Sequence, residues 1–175
     1  GLVTADFNND GRPDLASVDG NSDKVSVRLQ LAGGGFATRV EYDVRDQPTG
    51  LAVGLFDNNS SLDIAVVHTS FSANKVVFLL NNGNGTFMKS AYEIALGAGY
   101  STVVAADFDL ANRDDLAVAV DNGSSDKIYI LRNNGGAGFG FTETQQIAMG
   151  AASPLSMAAG LIDAGNYPDL VLGNY

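Results

Sequence analysis

The chain has 175 residues, of which 45% are hydrophobic, a formal net charge of −10 and no cysteine. This composition is sufficient for a core but excludes disulfides, thiolate metal sites and cysteine nucleophiles, and it argues against nucleic acid, whose phosphates require a basic patch. The apolar runs are short, which argues against a membrane span within this chain.

An acidic segment near the start of the chain recurs three times. It is DFNNDGRPD (6–14), with side-chain oxygens at alternate positions, and related segments lie at 55–63, 107–115 and 161–169. Each segment closes with an aspartate, and these are Asp14, Asp63, Asp115 and Asp169. Intervals of 49, 52 and 54 residues between them predict an internal duplication.

A second motif repeats in the same phase. DKVSVRLQLAGGGF begins at residue 23, NKVVFLLNNGNGTF at residue 74 and DKIYILRNNGGAGFGF at residue 126. Two motifs in step indicate tandem units within one repeat domain, 1–175. The units are approximately 1–48, 49–99, 100–152 and a partial unit at 153–175.

The second unit shows the predicted elements most clearly. TGLAVGLFD (49–57) predicts a strand, and LDIAVVH (62–68) predicts a second strand that is buried on both faces. NKVVFLL (74–80) predicts a third strand, NNGNG (81–85) a hairpin turn, and TFMKSAYEIAL (86–96) a more polar outer strand. Tandem units of four antiparallel strands predict an all-β fold made of β-propeller blades. A β-sandwich is the alternative, but it does not explain the repeat.

DFNNDGRPDLA (6–16) and NNGNGTF (81–87) resemble the FG-GAP/VCBS repeat family, which forms the blades of the integrin α-subunit head propeller. The resemblance covers essentially the whole chain. It implies a seven-bladed propeller, calcium in the loop between the first two strands of a blade, and roles in adhesion, ligand binding or scaffolding. About three and a half blades cannot close a ring alone. The chain is therefore an excerpt, one half of a ring completed by a second copy, or a fibre subunit that associates through open blade edges.

The first acidic loop has a spacing that suits Ca²⁺, which takes about six to eight oxygen ligands. The candidate ligands are Asp6, Asn8, Asp10, Arg12 through its backbone carbonyl, and Asp14. The alternative is a cluster of Asx turns without a metal. We expect calcium in this loop.

The other three loops are less complete. The third has alanine where the first has Asp10, and calcium remains open for its carboxylates, which are Asp107, Asp109 and Asp115. The second and fourth loops have leucine in place of Asp6 and predict metal-free turns held by Asx hydrogen bonds. Because the closing aspartate persists in all four loops, we also expect it to accept hydrogen bonds from backbone N–H groups.

Catalytic chemistry has little support. His68 has no second histidine or cysteine for a zinc site and no catalytic triad, so it is predicted to be a polar residue at a strand end. The aromatic residues at repeat positions are predicted to lie in the core; they are Phe7, Phe36, Phe56, Phe87, Phe108 and Phe141. The candidates for exposed sugar-binding platforms are Tyr42, Tyr100 and Tyr167.

Four asparagines begin N-glycosylation sequons in predicted loops. They are Asn58, Asn59, Asn84 and Asn122, and the last two are the better candidates. The sequence as a whole predicts a non-catalytic, secreted or cell-surface module, stabilised by calcium, for adhesion, recognition or structural assembly, including filaments. The expected partners are proteins, glycans or further copies of the chain. A carbohydrate-binding lectin and an accessory domain of a larger secreted hydrolase are the alternatives.

Overall fold

The computed structural model describes residues 1–44, 47–69, 75–97, 99–135, 139–150 and 153–174. Within these ranges the secondary structure consists of 14 β-strands in four antiparallel sheets. The described part of the chain contains no helix with the length and apolar character needed to cross a membrane.

The sheets follow one another along the chain, and each is formed by strands that are consecutive in sequence. The first contains β1 (Leu2–Ala5), β2 (Asp14–Asp19), β3 (Lys24–Arg28) and β4 (Val40–Asp43). The second contains β5 (Pro48–Gly54), β6 (Asp63–His68), β7 (Lys75–Asn81) and β8 (Phe87–Ala95). The third contains β9 (Tyr100–Ala106), β10 (Asp115–Asp121), β11 (Asp126–Asn133) and β12 (Phe141–Gly150). The fourth contains β13 (Pro154–Gly160) and β14 (Asp169–Asn174).

Burial within a sheet depends on the position of the strand. Every residue of β6 is buried, and so is every residue of β10 except Asp121. In contrast, β12 is largely exposed after its first residue, Phe141. The prediction of an apolar second strand buried on both faces and a polar outer strand is confirmed.

The hydrophobic core lies between successive sheets. The first and second sheets bury a shared cluster that includes Phe7, Val25, Ile64 and Leu79. The second and third sheets share a cluster that includes Phe56, Phe78, Leu116 and Leu131. A smaller cluster joins the third and fourth sheets and includes Ala117, Ile128, Met157 and Leu170. Sheets that stack face to face in this way are propeller blades, and the predicted fold class is confirmed.

Most of the repeated phenylalanines lie in these clusters, as predicted. The buried ones are Phe7, Phe56, Phe87 and Phe141. The prediction is wrong for Phe36, which is 40% exposed, and Phe108 is only half-buried. The reason is that Phe87 and Phe141 pack against the preceding sheet, whereas no sheet of this structure precedes Phe36.

Two buried asparagines tie the second and third sheets to the sheets that precede them. The side-chain amide of Asn81, at the end of β7, donates to the carbonyl of Phe7 at 2.8 Å and to that of Leu62 at 3.0 Å. Asn133 donates in the same way to the carbonyl of Phe56 at 3.0 Å. Because a buried amide must find partners, these two side chains help to fix the second and third sheets against their predecessors.

Candidate metal-binding loops

All four acidic segments form the loop between the first and second strands of a sheet, as predicted. The loops span 6–13, 55–62, 107–114 and 161–168, and each second strand begins with the closing aspartate. We refer to them as loops one to four. Since a strand fixes both ends of each loop, a few side chains between those ends determine its conformation.

The closing aspartate holds every loop through backbone N–H groups. Its Oδ2 accepts from the residue seven positions earlier, at 2.9 to 3.2 Å, in Asp14, Asp63, Asp115 and Asp169. In the four-stranded sheets its Oδ1 also accepts an N–H group at the end of the third strand, from Gln30, Asn81 and Asn133. The expected hydrogen-bonding role is confirmed, and it requires no metal.

Loops one and three share an organising carboxylate at their first position. Asp6 accepts the backbone N–H groups of residues 10 and 11 at 3.0 and 2.7 Å. Asp107 accepts those of residues 111 and 112 at 2.9 and 2.8 Å. In both loops, one carboxylate therefore holds the five residues that follow it in a tight turn.

The same two loops share an unusual backbone conformation. Asn9 and Gly11 have φ angles of 58° and 81°, and Leu110 and Asn112 both have φ of 60°. Left-handed φ angles suit glycine and asparagine but are strained for leucine. Loop three keeps the conformation of loop one even though its sequence is less favourable.

Loops two and four have leucine in place of the organising aspartate. In loop two, Asp57 accepts the N–H of Asn59 at 2.8 Å, and Asn59 accepts the N–H of Ser61 at 2.7 Å. In loop four, Asp163 accepts the N–H of Gly165 at 2.5 Å. Residues 55–62 and 161–168, all of which the structure describes, contain no left-handed φ angle. Both loops are held by Asx turns, as predicted.

Three carboxylates converge in loop three. Oxygens of Asp107, Asp109 and Asp115 lie within 4.8 Å of one another, and no other trio of acidic or histidine side chains among the described residues does so. Burial raises the pKa of Asp115, and the charges of Asp109 and Asp107 raise it further against hydrogen bonds from Asn133 and Phe108. Carboxylates that repel one another at this distance offer the oxygen ligands that Ca²⁺ prefers.

An arginine side chain contacts this cluster of carboxylates. Arg132, on β11, forms an ion pair through Nε with Oδ2 of Asp109, although that oxygen has no well-oriented hydrogen bond. Ala111 provides no side-chain ligand at the position of Asp10. Loop three therefore combines three carboxylates with one guanidinium, which competes with a cation for Asp109.

The candidate carboxylates of loop one are less close to one another. Oδ2 of Asp10 accepts from the side-chain amide of Asn8 at 2.7 Å and pairs with the guanidinium of Arg12. Burial acts to raise the pKa of Asp6, but the N–H groups of Gly11 and Asp10 hold it below its usual value. Oδ1 of Asn8 is buried and has no hydrogen-bond partner. Asp14 closes the loop through the backbone contacts described above, and a metal role for Arg12 through its carbonyl stays a prediction.

The remaining candidate residues are the single histidine and the three tyrosines named as possible sugar-binding platforms. His68 is 2% exposed at the end of β6, and its Nδ1 lies 3.2 Å from the carbonyl oxygen of Lys75. The expectation that Tyr42 is exposed is wrong, because it is half-buried and packs against Phe87. The side chain of Tyr100 lies outside the described residues, and Tyr167 is 61% exposed.

The four sequon asparagines are all exposed. Asn84 lies at the β7–β8 turn, where its Oδ1 accepts from the hydroxyl of Thr86 at 2.6 Å. Asn122 lies at the β10–β11 turn, where its amide donates to Ser125. Asn58 and Asn59 lie in loop two. Glycosylation of these residues stays a prediction.

Asn81 and Asn133 make inter-sheet contacts that the sequence pattern does not predict, since the pattern indicates only a hairpin turn at 81–85. Both lie at the same position of the second motif, and this alignment is the signal that distinguishes them from other asparagines. Pattern alone does not reveal that their amides reach the preceding sheet, because that contact spans 74 and 77 residues of sequence.

Stacked four-stranded sheets, each with an acidic loop between its first two strands, define a repeat protein of the β-propeller class. Residues 6–66 and 56–118 match the model of the FG-GAP-like repeat, and together they span more than half of the chain. The chain belongs to the FG-GAP-like repeat family, and the resemblance drawn from its motifs is confirmed.

Comparison with known proteins adds the fold but no function. No curated protein matches the chain. A chain in the crystal structure of BBS1N in complex with ARL6DN, soaked with lead, is similar, with a TM-score of 0.57 and 18% identity. The match covers 99% of this chain and 50% of that chain, so this chain spans half the length of its structural neighbour. At this identity the similarity shows the fold alone.

Proposed function

We propose that this protein is a non-catalytic, extracellular recognition and assembly module that Ca²⁺ stabilises through its acidic loops. The convergence of Asp107, Asp109 and Asp115 within 4.8 Å is the observation that carries the calcium proposal. The proposals of secretion and of protein or glycan partners are supported by the family resemblance of the motifs.

The proposal assigns the ion to the oxygen-bearing side chains of two loops. In loop three they are Asp107, Asp109 and Asp115, and in loop one Asp6, Asn8, Asp10 and Asp14. When bound, Ca²⁺ supplies positive charge that offsets the repulsion among these carboxylates. The chain itself orients them, since backbone N–H groups fix the first and the closing aspartate of each loop.

The absence of catalysis is supported by how the reactive side chains are used. The clustered aspartates belong to repeated loops, and each closing aspartate binds backbone N–H groups. The single histidine is buried at a strand end beside a backbone carbonyl. A general acid or base needs a reacting group within hydrogen-bond reach, and these side chains are occupied by structural contacts.

Calcium binding is tested by calorimetric titration and by thermal unfolding with CaCl₂. We expect saturable binding and a Tm higher by several degrees, because a ligand at one hundred times its Kd stabilises by about 2.7 kcal/mol. Asp109→Asn should reduce both effects. Asp57→Asn changes the aligned residue of loop two and is the matched control, which should bind as the unchanged chain does. No heat of binding and no change in Tm would contradict the proposal.

A further inference from the structure

The turns of this chain contain four asparagines that are each followed directly by glycine. The pairs are Asn82–Gly83, Asn84–Gly85, Asn122–Gly123 and Asn134–Gly135. The backbone nitrogen of the residue after an asparagine can attack the carbon of the side-chain amide, and glycine hinders this attack least because it has no Cβ. Since the four pairs consist of the same two residues, their surroundings in the fold distinguish them.

In three of the four pairs, the glycine N–H group donates to a side-chain oxygen. These glycines are Gly83, Gly123 and Gly135, with donor–acceptor distances from 2.8 to 3.2 Å. The acceptors are the Oδ1 atoms of Asn81, Asp121, Asp126 and Asn133. A nitrogen in such a hydrogen bond has to give it up before it attacks a neighbouring amide, and this loss adds to the barrier.

The fourth glycine, Gly85, differs from the other three. Among the hydrogen bonds of the described residues, none has the Gly85 N–H group as its donor. Its proton can therefore be removed without the loss of a hydrogen bond. The α-carbon is packed instead, since φ is +77° and a Cβ there would lie 2.7 Å from a methyl carbon of Leu29. The residues on either side, Asn84 and Thr86, are exposed.

The side-chain carbonyl of Asn84 is polarised by Thr86. Its Oδ1 accepts from the backbone N–H of Thr86 at 3.1 Å and from the Thr86 hydroxyl at 2.6 Å. The first of these bonds is an Asx turn, which folds the side chain along the backbone that contains Gly85. Two donors directed at one carbonyl oxygen stabilise the negative charge that develops there when a nucleophile attacks the carbon.

The pair Asn122–Gly123 is the most informative comparison, because its side-chain carbonyl is polarised in a similar way. Oδ1 of Asn122 accepts from the N–H groups of Ser124 and Ser125 at 3.2 and 2.8 Å. Its amide nitrogen, however, donates to the carbonyl of Ser125 at 3.2 Å, and two carboxylates hold the Gly123 N–H. Negative charge beside that nitrogen opposes removal of its proton, so this pair should react slowly.

We propose that Asn84 is a site of spontaneous covalent modification, at which the backbone nitrogen of Gly85 displaces the side-chain amide. Hydroxide removes the N–H proton of Gly85, and the nitrogen forms a bond to Cγ of Asn84. The bond from Cγ to Nδ2 then breaks and ammonia leaves, taking a proton from water and regenerating hydroxide. Water opens the resulting cyclic succinimide at either carbonyl and leaves aspartate or isoaspartate at position 84. The net reaction consumes water and releases ammonia, without oxidation or reduction.

The modification alters the contact between the second sheet and loop one. Isoaspartate adds a methylene group to the main chain directly before Gly85, where the space beside Leu29 does not admit a Cβ. The same Cβ would lie 3.4 Å from Cβ of Asn8 in loop one. The product also adds a negative charge to a chain with a net charge of −10. Conversion of Asn84 should therefore lower the Tm. A glycan on Nδ2 of Asn84 would prevent the loss of ammonia.

Peptide mapping by mass spectrometry tests the proposal on the unglycosylated 175-residue chain, produced in bacteria and incubated at mildly alkaline pH. Asn84 should convert about ten times faster than the asparagine of any other pair, because no hydrogen bond of the glycine has to break. Thr86→Val removes the hydroxyl donor and should slow the conversion by about tenfold. Thr86→Ser keeps the hydroxyl and is the matched control, which should react as the unchanged chain does.

The same measurements in concentrated urea separate the effect of the fold from that of the local sequence. In the unfolded chain the four pairs should react at similar rates, and Thr86→Val should have no effect. The proposal is overturned if Asn84 in the native chain does not convert faster than the other three asparagines. Equal rates for Thr86→Val and Thr86→Ser, or a preference for Asn84 that persists in urea, would also overturn it. These readouts require no calcium, so this proposal and the calcium proposal fail independently.

Discussion

Loops one and three differ from loops two and four chiefly at one residue. The first pair begins with Asp6 or Asp107, and the second pair has leucine at that position. The aspartate accepts two backbone N–H groups and accompanies two left-handed residues in each loop. Where leucine replaces it, the aspartate two residues later accepts a backbone N–H group of the loop in a short Asx turn instead.

The comparison separates two uses of acidic residues in one repeat. The closing aspartate is common to all four loops and acts on backbone N–H groups. The opening aspartate is present in only two loops, and in loop three it adds to a cluster of carboxylates. The shared residue therefore has a structural role in every loop, and we propose that the variable one determines which loops bind a cation.

The largest effect is expected when a shared closing aspartate is removed. Asp14 is fully buried and accepts the N–H groups of Phe7 and Gln30. Asp14→Ala leaves one buried and one partly buried N–H donor without a partner and should lower the free energy of unfolding by about 4 kcal/mol. Urea denaturation measures this change in the free energy of unfolding. Asp169→Ala, at a half-buried aspartate, is the comparison and should cost less than about 2 kcal/mol; equal costs would contradict this role.

The second effect is a pH dependence that originates in loop two. Burial raises the pKa of Asp63 to about 6, and the charge of Asp57 contributes, against hydrogen bonds from the backbone N–H groups of Asn81, Asp57 and Phe56. The native state therefore binds this proton more tightly than the unfolded chain, whose pKa is 3.8. The contribution of Asp63 to the free energy of unfolding should therefore fall by up to about 3 kcal/mol as the pH rises from about 4 to about 6.

Urea denaturation at a series of pH values tests this dependence. Asp63→Asn should remove that part of the pH slope, because the amide does not titrate. A variant that keeps the slope of the unchanged chain would show that another group carries it. Asp114 and Asp115, whose pKa values burial also raises, would then be the groups to examine.

A smaller effect is expected at the ties between sheets. Asn133→Ala removes donors to the carbonyls of Phe56 and Asp114 and should cost about 2 kcal/mol, since buried acceptors lose their partner. Gln30 occupies the aligned position in the first sheet, and Gln30→Ala should change stability by less than about 0.5 kcal/mol. Chemical denaturation of both variants checks the difference, and a Gln30 variant that is as unstable as the Asn133 variant would refute the assignment.

The smallest effect concerns backbone strain in loop three. Leu110 is 45% exposed and has φ of 60°. Leu110→Gly should therefore relieve backbone strain, raise the free energy of unfolding by about 1 kcal/mol and raise the Tm slightly. Asn58→Gly changes the aligned residue of loop two, where φ is not left-handed, and should not stabilise. Differential scanning calorimetry distinguishes the two. Stabilisation by both glycines would show that loops two and three share one conformation.

Repeat phase, strand order and the role of the closing aspartate were all predictable from the sequence, because periodic patterns report local structure directly. The inter-sheet contacts of Asn81 and Asn133 were not, because a turn asparagine and a buried asparagine have the same local pattern. The exposure of Phe36 also depends on a neighbouring sheet. The closeness of the carboxylates in loop three depends on side-chain geometry, and in loop one the side chain of Asp10 pairs with Arg12.

A crystal grown with Tb³⁺, a cation with similar oxygen ligands to Ca²⁺, tests the division of the loops most directly. The anomalous-difference map should show a peak among Asp107, Asp109 and Asp115, a second peak in loop one, and no peak in loops two and four. Asp107→Leu should remove the peak of loop three. A map without a peak in loop three, or with an equal peak beside Asp57 and Asp63, would contradict the assignment of cation binding to the opening aspartate.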